Sequence, residues 1–352
     1  MKHPPMAASA AAILAVALVS MPTAWAQPAP EYRITNTIPL GAPDRWDYVT
    51  FDPGSHRVYV SHGDRVTVVD GHDGKLLGEV TGFPGGTHGI AVVSAVGHGY
   101  TDDGRAGEAG SFSLETLKVG KRIKAMDDAD GIVFDPASGH VFVINGDSKT
   151  LTVIDPKTDS AVATVAAGGG LEFGVSGENG KLYVDGEEKN EIVRVDTRTN
   201  LADAHWPMPA CKSPHGLAID RLTHRLFASC ANKVLAVINA DSGEVLATLP
   251  IGAGTDSAAF DPKRRRAVSS NGQDGTLSVI QEQNAQTFVA LGDVKTAPLA
   301  RTMSIDPDTG RIYLVSADID TTAPAEPQNG PGPHRRHIVP GSVKLLFLDP
   351  VN

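Results

Sequence analysis

DYVTFDPGSHRVYVSHGDRVTVVDGHDGKLLGEV, Asp47 to Val80, decides how the rest of the chain is read. A short apolar run, YVTF, leads into a turn of Asp, Pro, Gly and Ser. A second run, HRVYV, is followed by a polar step and a third, VTVVD. Glycine then announces a fourth, GKLLGEV. Short runs of β-branched and aromatic residues bounded by turn residues read as strands, and four in close succession read as an antiparallel meander.

The same unit recurs along the chain. Taking the residue before each YVTFD-like run as the register mark gives Asp47, His88, Asp130, Glu172, His215, Asp256 and Arg301. The spacings are 41, 42, 42, 43, 41 and 45 residues. Second strands repeat as GHVFV, GKLYV, HRLFA and GRIYL, and third strands as LTVID, IVRVD, LAVIN and VKLLFLD. No stretch resembles a long amphipathic helix. Four short strands cannot cover both faces of their own sheet, so the units must stack on one another. Seven such units predict an all-β fold, a seven-bladed β-propeller with four-stranded antiparallel blades.

Closure is also legible. The seventh unit runs out of chain after its third strand, whereas YRITNTIPLG, residues 32–41, has strand composition and no unit of its own. This N-terminal strand is expected to complete the last blade and seal the ring, leaving no open sheet edge. The chain resembles the YVTN-type, YncE-like family of secreted β-propeller repeat proteins, with VYVSH, VFVIN and LYVDG standing where the family string would be. The resemblance implies an exported seven-bladed propeller and implies no single reaction, because one fold hosts many functions.

Residues 1–26 read as a secretory signal peptide: Lys2, an apolar run from Ala7 to Val19, and Ala24-Trp25-Ala26 as cleavage pattern. The apolar run is too short to span a bilayer. A mature single domain over residues 27–352, in the periplasm or secreted, without a transmembrane anchor and monomeric, is the expectation. An oxidising compartment permits Cys211 and Cys230 to pair. They fall at the same end of two neighbouring strands of the fifth unit, within reach of a disulfide. The formal charge of −10 offers no general attraction to nucleic acid, and the basic KRRRA at Lys263–Ala267 reads as a solvated turn.

In a propeller the first strand of each blade lines the central channel. The seven register residues therefore form a ring at one mouth, the default place to seek a ligand site. Four carboxylates face two histidines and one arginine, a balance that favours a cation or a positively charged ligand. His62, at the end of a second strand, is expected beside the mouth near His88. Asp130 and Glu172, from adjacent blades, are the expected seed for a divalent metal ion. His88 and His215, three blades apart, are expected nearly opposite each other.

An insertion, residues 317–341, replaces the second-to-third-strand loop of the seventh unit and carries His334, Arg335, Arg336 and His337 toward the same face. Unstructured loops of this length are commonly lids or mobile segments. P-loop, nucleophile-elbow, dinucleotide and zinc-protease motifs are absent. The first functional reading is a propeller that binds a small molecule, an ion or a protein partner at its mouth. The alternative is a metal-assisted lyase or lactone hydrolase with His215 or His88 as general base; streptogramin lyases and lactonases are similar in overall architecture.

Overall fold

The computed structural model describes Met1, residues 32–323 and residues 337–351. Residues 2–31, which include all but Met1 of the segment expected to be a signal peptide, and His334, Arg335 and Arg336 lie outside the described residues. Seven four-stranded antiparallel sheets follow one another around an axis. The first blade is Val49–Asp52, Arg57–His62, Arg65–Asp70 and Leu76–Thr81, as the sequence period implies. The only other regular elements among the described residues are two single-turn 3-10 segments in the second blade.

The seventh sheet is built from both ends of the chain. Met303–Ile305, Ile312–Ser316 and Lys344–Pro350 are joined by Tyr32–Pro39, which pairs antiparallel with Lys344–Pro350. The closing strand thus ends at Pro39, before Leu40 and Gly41, whose amides donate instead to the Val343 carbonyl. Its pairing covers the edge that the third strand of the last blade would otherwise leave bare.

Blades interlock through one repeated aromatic slot. Tyr59, Tyr100, Phe142, Tyr183 and Phe227 are the third residue of the second strand in their blades, Tyr313 is the register equivalent in the shorter strand of the seventh, and all six are essentially fully buried. Tyrosine at this slot keeps a polar tip that must be satisfied. Tyr183 donates to the Ala240 carbonyl at 3.0 Å, and Tyr313 donates to the Gly71 carbonyl at 3.0 Å, each in the following blade. Each sheet therefore buries its faces against its neighbours and ties its rim to the next.

Toward the axis the inner strands converge closely. A Cβ on Gly89 would fall 2.3 Å from the Ile132 amide nitrogen, and one on Gly216 would fall 2.5 Å from the Ser257 carbonyl carbon. Both glycines directly follow a ring histidine, so the paired His-Gly stretches mark places where one inner strand must approach the next without a side chain. Below the ring, inner strands of all seven blades line a channel cavity of about 490 Å³, walled by residues such as Phe51, Ile132, Phe173 and Met303.

Candidate functional site

All seven ring residues are partly buried and gather at one mouth. They form two groups of three, bridged by the seventh. One donor atom from each of Asp47, His88 and Asp130 lies within 4.8 Å of the others, and so do those of Glu172, His215 and Asp256. Arg301 joins the groups: Nη1 stands 3.0 Å from Asp256 Oδ2 and Nη2 stands 4.0 Å from Asp47 Oδ2. Asp130 and Glu172, expected to seed a metal site together, fall in different groups. Each cluster sets one histidine between the carboxylates of the two flanking blades.

Tyr48 lies between the clusters. The residue after Asp47, it is buried, donates from its hydroxyl to Glu172 Oε1 at 3.1 Å, and packs on Phe173 with ring centroids 4.8 Å apart. It thereby joins the first blade to the fourth and floors the mouth above the channel. Burial, reinforced by Glu172 and Asp130, holds its hydroxyl protonated.

The two histidines differ in their partners. His88 Nδ1 lies 2.5 Å from Asp102 Oδ2, while the His88 and Gly89 amides donate to Asp102 Oδ1 at 2.9 and 2.8 Å. His88 Nε2 lies 3.1 Å from Arg45 Nη2. In the neutral ring, Nδ1–H donates to Asp102 and Nε2 accepts from Arg45. Both nitrogens are thus committed. His215 Nε2 lies 3.3 Å from Ser213 Oγ, which donates to Glu187 Oε1 at 2.7 Å. His215 Nδ1 is 3.6 Å from Glu172 Oε1 and 3.8 Å from Asp256 Oδ1, and is buried without a hydrogen-bond partner.

Electrostatics follow from crowding carboxylates in a partly dry mouth. Burial pushes the Asp47 carboxyl up to about 7, although Arg301 opposes it. Asp130 is pushed well above the usual carboxylate range by burial, with Asp47 and Glu172 adding repulsion. Burial also raises Glu172, which His215 partly offsets. Burial works against a charged His215, but Glu172, Asp256 and Glu187 prevail and carry its pKa up to about 9.

His62 does not reach the mouth. It is fully buried, with Nδ1 3.0 Å from Thr67 Oγ1 and Nε2 3.2 Å from the Gly41 carbonyl. Side chains alternate along a strand, so while Ser61 donates toward the His88 carbonyl, His62 turns to the other face. Burial lowers its pKa. Asn145 and Asn271 at the same slot cap their own hairpins through Thr150 and Thr276.

Asp102 and Asp185 occupy the slot of Ser61 in their blades, which also holds Ser229 and Ser270: each pairs with the second residue of the third strand. Ser270 donates toward the Arg301 carbonyl as Ser61 does toward that of His88, each in the following blade, whereas Asp102 binds His88 of its own blade. Asp185, fully buried, has no hydrogen-bond partner on either oxygen. Burial holds it well above the usual range, and His215 of the following blade is the one positive group that offsets this.

The disulfide forms between Cys211 and Cys230, whose Cα atoms are 5.5 Å apart. It anchors the segment carrying Ser213 and His215. At the insertion, His337 and Val339 pair with the opposite root, Asp318 to Asp320, and the Gly341 amide donates to Asp44 Oδ1 at 2.6 Å. No helix among the described residues is long and apolar enough to cross a membrane.

No family model matches the chain. Protein YncE of Salmonella typhimurium, itself described as uncharacterized, is 25% identical over 221 residues, covering 60% of this chain and 61% of that protein. The chain thus matches about three fifths of the length of that relative. Among solved structures, the WD40 repeats of RRP9 superpose with a TM-score of 0.73 at 10% identity, covering 92% of this chain and 99% of that one. A Kuenenia stuttgartiensis hydrazine synthase chain gives a TM-score of 0.67 at 14% identity, covering 76% of this chain and 91% of that one. At such identities the structural likeness shows the fold alone. In architecture this chain is a seven-bladed β-propeller, and in sequence it is similar to YncE.

Proposed function

We propose that the protein is an exported, non-catalytic binding propeller that holds a small, positively charged ligand at its ring mouth. The observation that carries this reading is the charge imbalance at the mouth. Asp47, Asp130, Glu172 and Asp256 crowd together beside Arg301, Arg45 and His215, and burial and mutual repulsion still push the first three upward in pKa. A cation entering there relieves repulsion that the protein alone leaves standing. Commitment of both His88 nitrogens, and of His215 Nε2, to protein partners argues for binding over general-base chemistry. Export is supported by the N-terminal sequence and by a disulfide that persists in oxidising compartments.

Calorimetric titration with spermidine, as a probe organic cation, tests the reading at low ionic strength. Saturable binding by the wild type is expected, weakened at least about tenfold in an Asp47→Asn/Asp130→Asn variant, because each removed charge interacts through a partly buried site. Equal affinity in the two proteins refutes the reading.

A further inference from the structure

The two halves of the mouth look alike as lists of residues, an imidazole between two carboxylates each time, yet they are wired differently. In the first, His88 has no nitrogen to give, since Asp102 holds Nδ1 and Arg45 stands at Nε2. The guanidinium also sets a positive charge against that half. In the second, the Ser213–Glu187 relay takes Nε2–H and leaves Nδ1 between Glu172 and Asp256 with no hydrogen-bond partner, where a metal ion would take the place of the proton that those carboxylates favour. A histidine whose distal nitrogen is held by an outer partner, fixing the tautomer, is the usual arrangement of a metal ligand. Arg301 holds Asp256 by Oδ2 and leaves Oδ1 turned to His215.

We infer that Glu172, His215 and Asp256 form a binding site for one divalent cation of the zinc type. Ligand distances of about 2.0–2.2 Å around a tetrahedral ion put ligand atoms roughly 3.3–3.6 Å apart. The His215 Nδ1 separations of 3.6 and 3.8 Å are too long for hydrogen bonds and need to close only slightly to meet that geometry. One imidazole nitrogen with two carboxylate oxygens suits zinc or manganese, and leaves a position open toward the mouth.

A second observation is independent of the cluster. Asp185 is fully buried, has no partner on either oxygen, and lies near enough to His215 and Glu172 to interact electrostatically with both. A buried carboxyl is rarely left without a partner. Together with His215 Nδ1 it concentrates unsatisfied polar atoms beside these three residues, and a dication there supplies the missing positive charge. This inference rests on reading the mouth as a cation site and names its ion.

The test uses the mature chain, stripped with a chelator and titrated with zinc ion in a calorimeter, with cobalt(II) absorption as a spectroscopic readout. One ion per chain is expected. His215→Gln and Glu172→Gln each weaken binding at least about 100-fold, and Ser213→Ala about tenfold, as loss of an outer partner does. His224→Ala, at an exposed histidine paired with Asp241, leaves binding unchanged. Thermal melts verify that each variant is folded. Two ions per chain, no zinc binding by the wild type, or wild-type affinity in folded His215→Gln overturns the inference. If zinc fails while spermidine binds, the metal site falls and the cation-binding mouth stands; if both fail, both fall.

Discussion

The Tyr48 hydroxyl reaches Glu172 Oε1 at 3.1 Å, so a side chain of the first blade is fastened to the ring residue of the fourth. This contact crosses the propeller and separates a polar mouth from the channel below. Replacing Tyr48 by phenylalanine keeps the ring against Phe173 and loses only the hydrogen bond, a cost of about 1 kcal/mol. Tyr48→Ala also removes the floor, a cost of about 3–5 kcal/mol. Urea denaturation of both variants measures the difference, and equal losses contradict the plug.

The His88–Asp102 pair makes stability depend on pH. Burial opposes a charged His88, but the hydrogen bond and charge of Asp102, with Asp47 adding, leave its pKa raised above 6.5. A group whose folded pKa is raised contributes stability that is fully present below its unfolded value and is lost as pH rises through the folded one. The pair's contribution is therefore complete below pH 6.5 and declines above it. In Asp102→Asn the His88 pKa falls, because burial and Arg45 remain while the buried charge is gone. NMR titration of the imidazole reads this directly, and an unchanged value refutes the assignment.

Gly89 and Gly216 are expected to resist substitution more than ordinary strand glycines. Alanine at either position meets backbone of the next blade at 2.3 or 2.5 Å, and backbone cannot swing aside as a side-chain tip can. Each change costs about 1–3 kcal/mol, the usual scale of overpacking. Thermal unfolding of the two variants measures it; wild-type midpoints show that the inner strands are not so close.

These glycines also show how far the sequence can be read. Register spacing alone yields the blades, the ring residues and the closing strand, since each follows from period and strand order. The paired His-Gly stretches are visible too, but only the packing tells that glycine is there for close approach while histidine is free to vary with the blade. His62 misleads because its neighbour in sequence, Ser61, is the residue that faces the ring, and a one-residue step reverses a strand side chain. Asp102 and Asp185 had a signal, an acidic residue in an inward slot where three other blades carry serine and two carry Ile144 and Val315. Tyr48 and Arg45 had none: they enter the mouth through contacts made only in the folded ring, Tyr48 to Glu172 of the fourth blade and Arg45 to His88 of the second.

The Cys211–Cys230 bond is expected to stabilise the fifth blade. Closing a loop of this modest size contributes about 3 kcal/mol by restricting the unfolded chain. The double alanine variant should lose about that much in chemical denaturation and keep the seven-bladed fold by circular dichroism. An unaltered denaturation midpoint contradicts the expectation.

The most direct test of a cation-binding mouth is diffraction from crystals soaked in hexamminecobalt(III), an exchange-inert trication located by its anomalous scattering. The account predicts an anomalous peak inside the ring, among Asp47, Asp130, Glu172 and Asp256. Peaks confined to outer carboxylates such as Asp241 or Asp308, with none at the mouth, would contradict it.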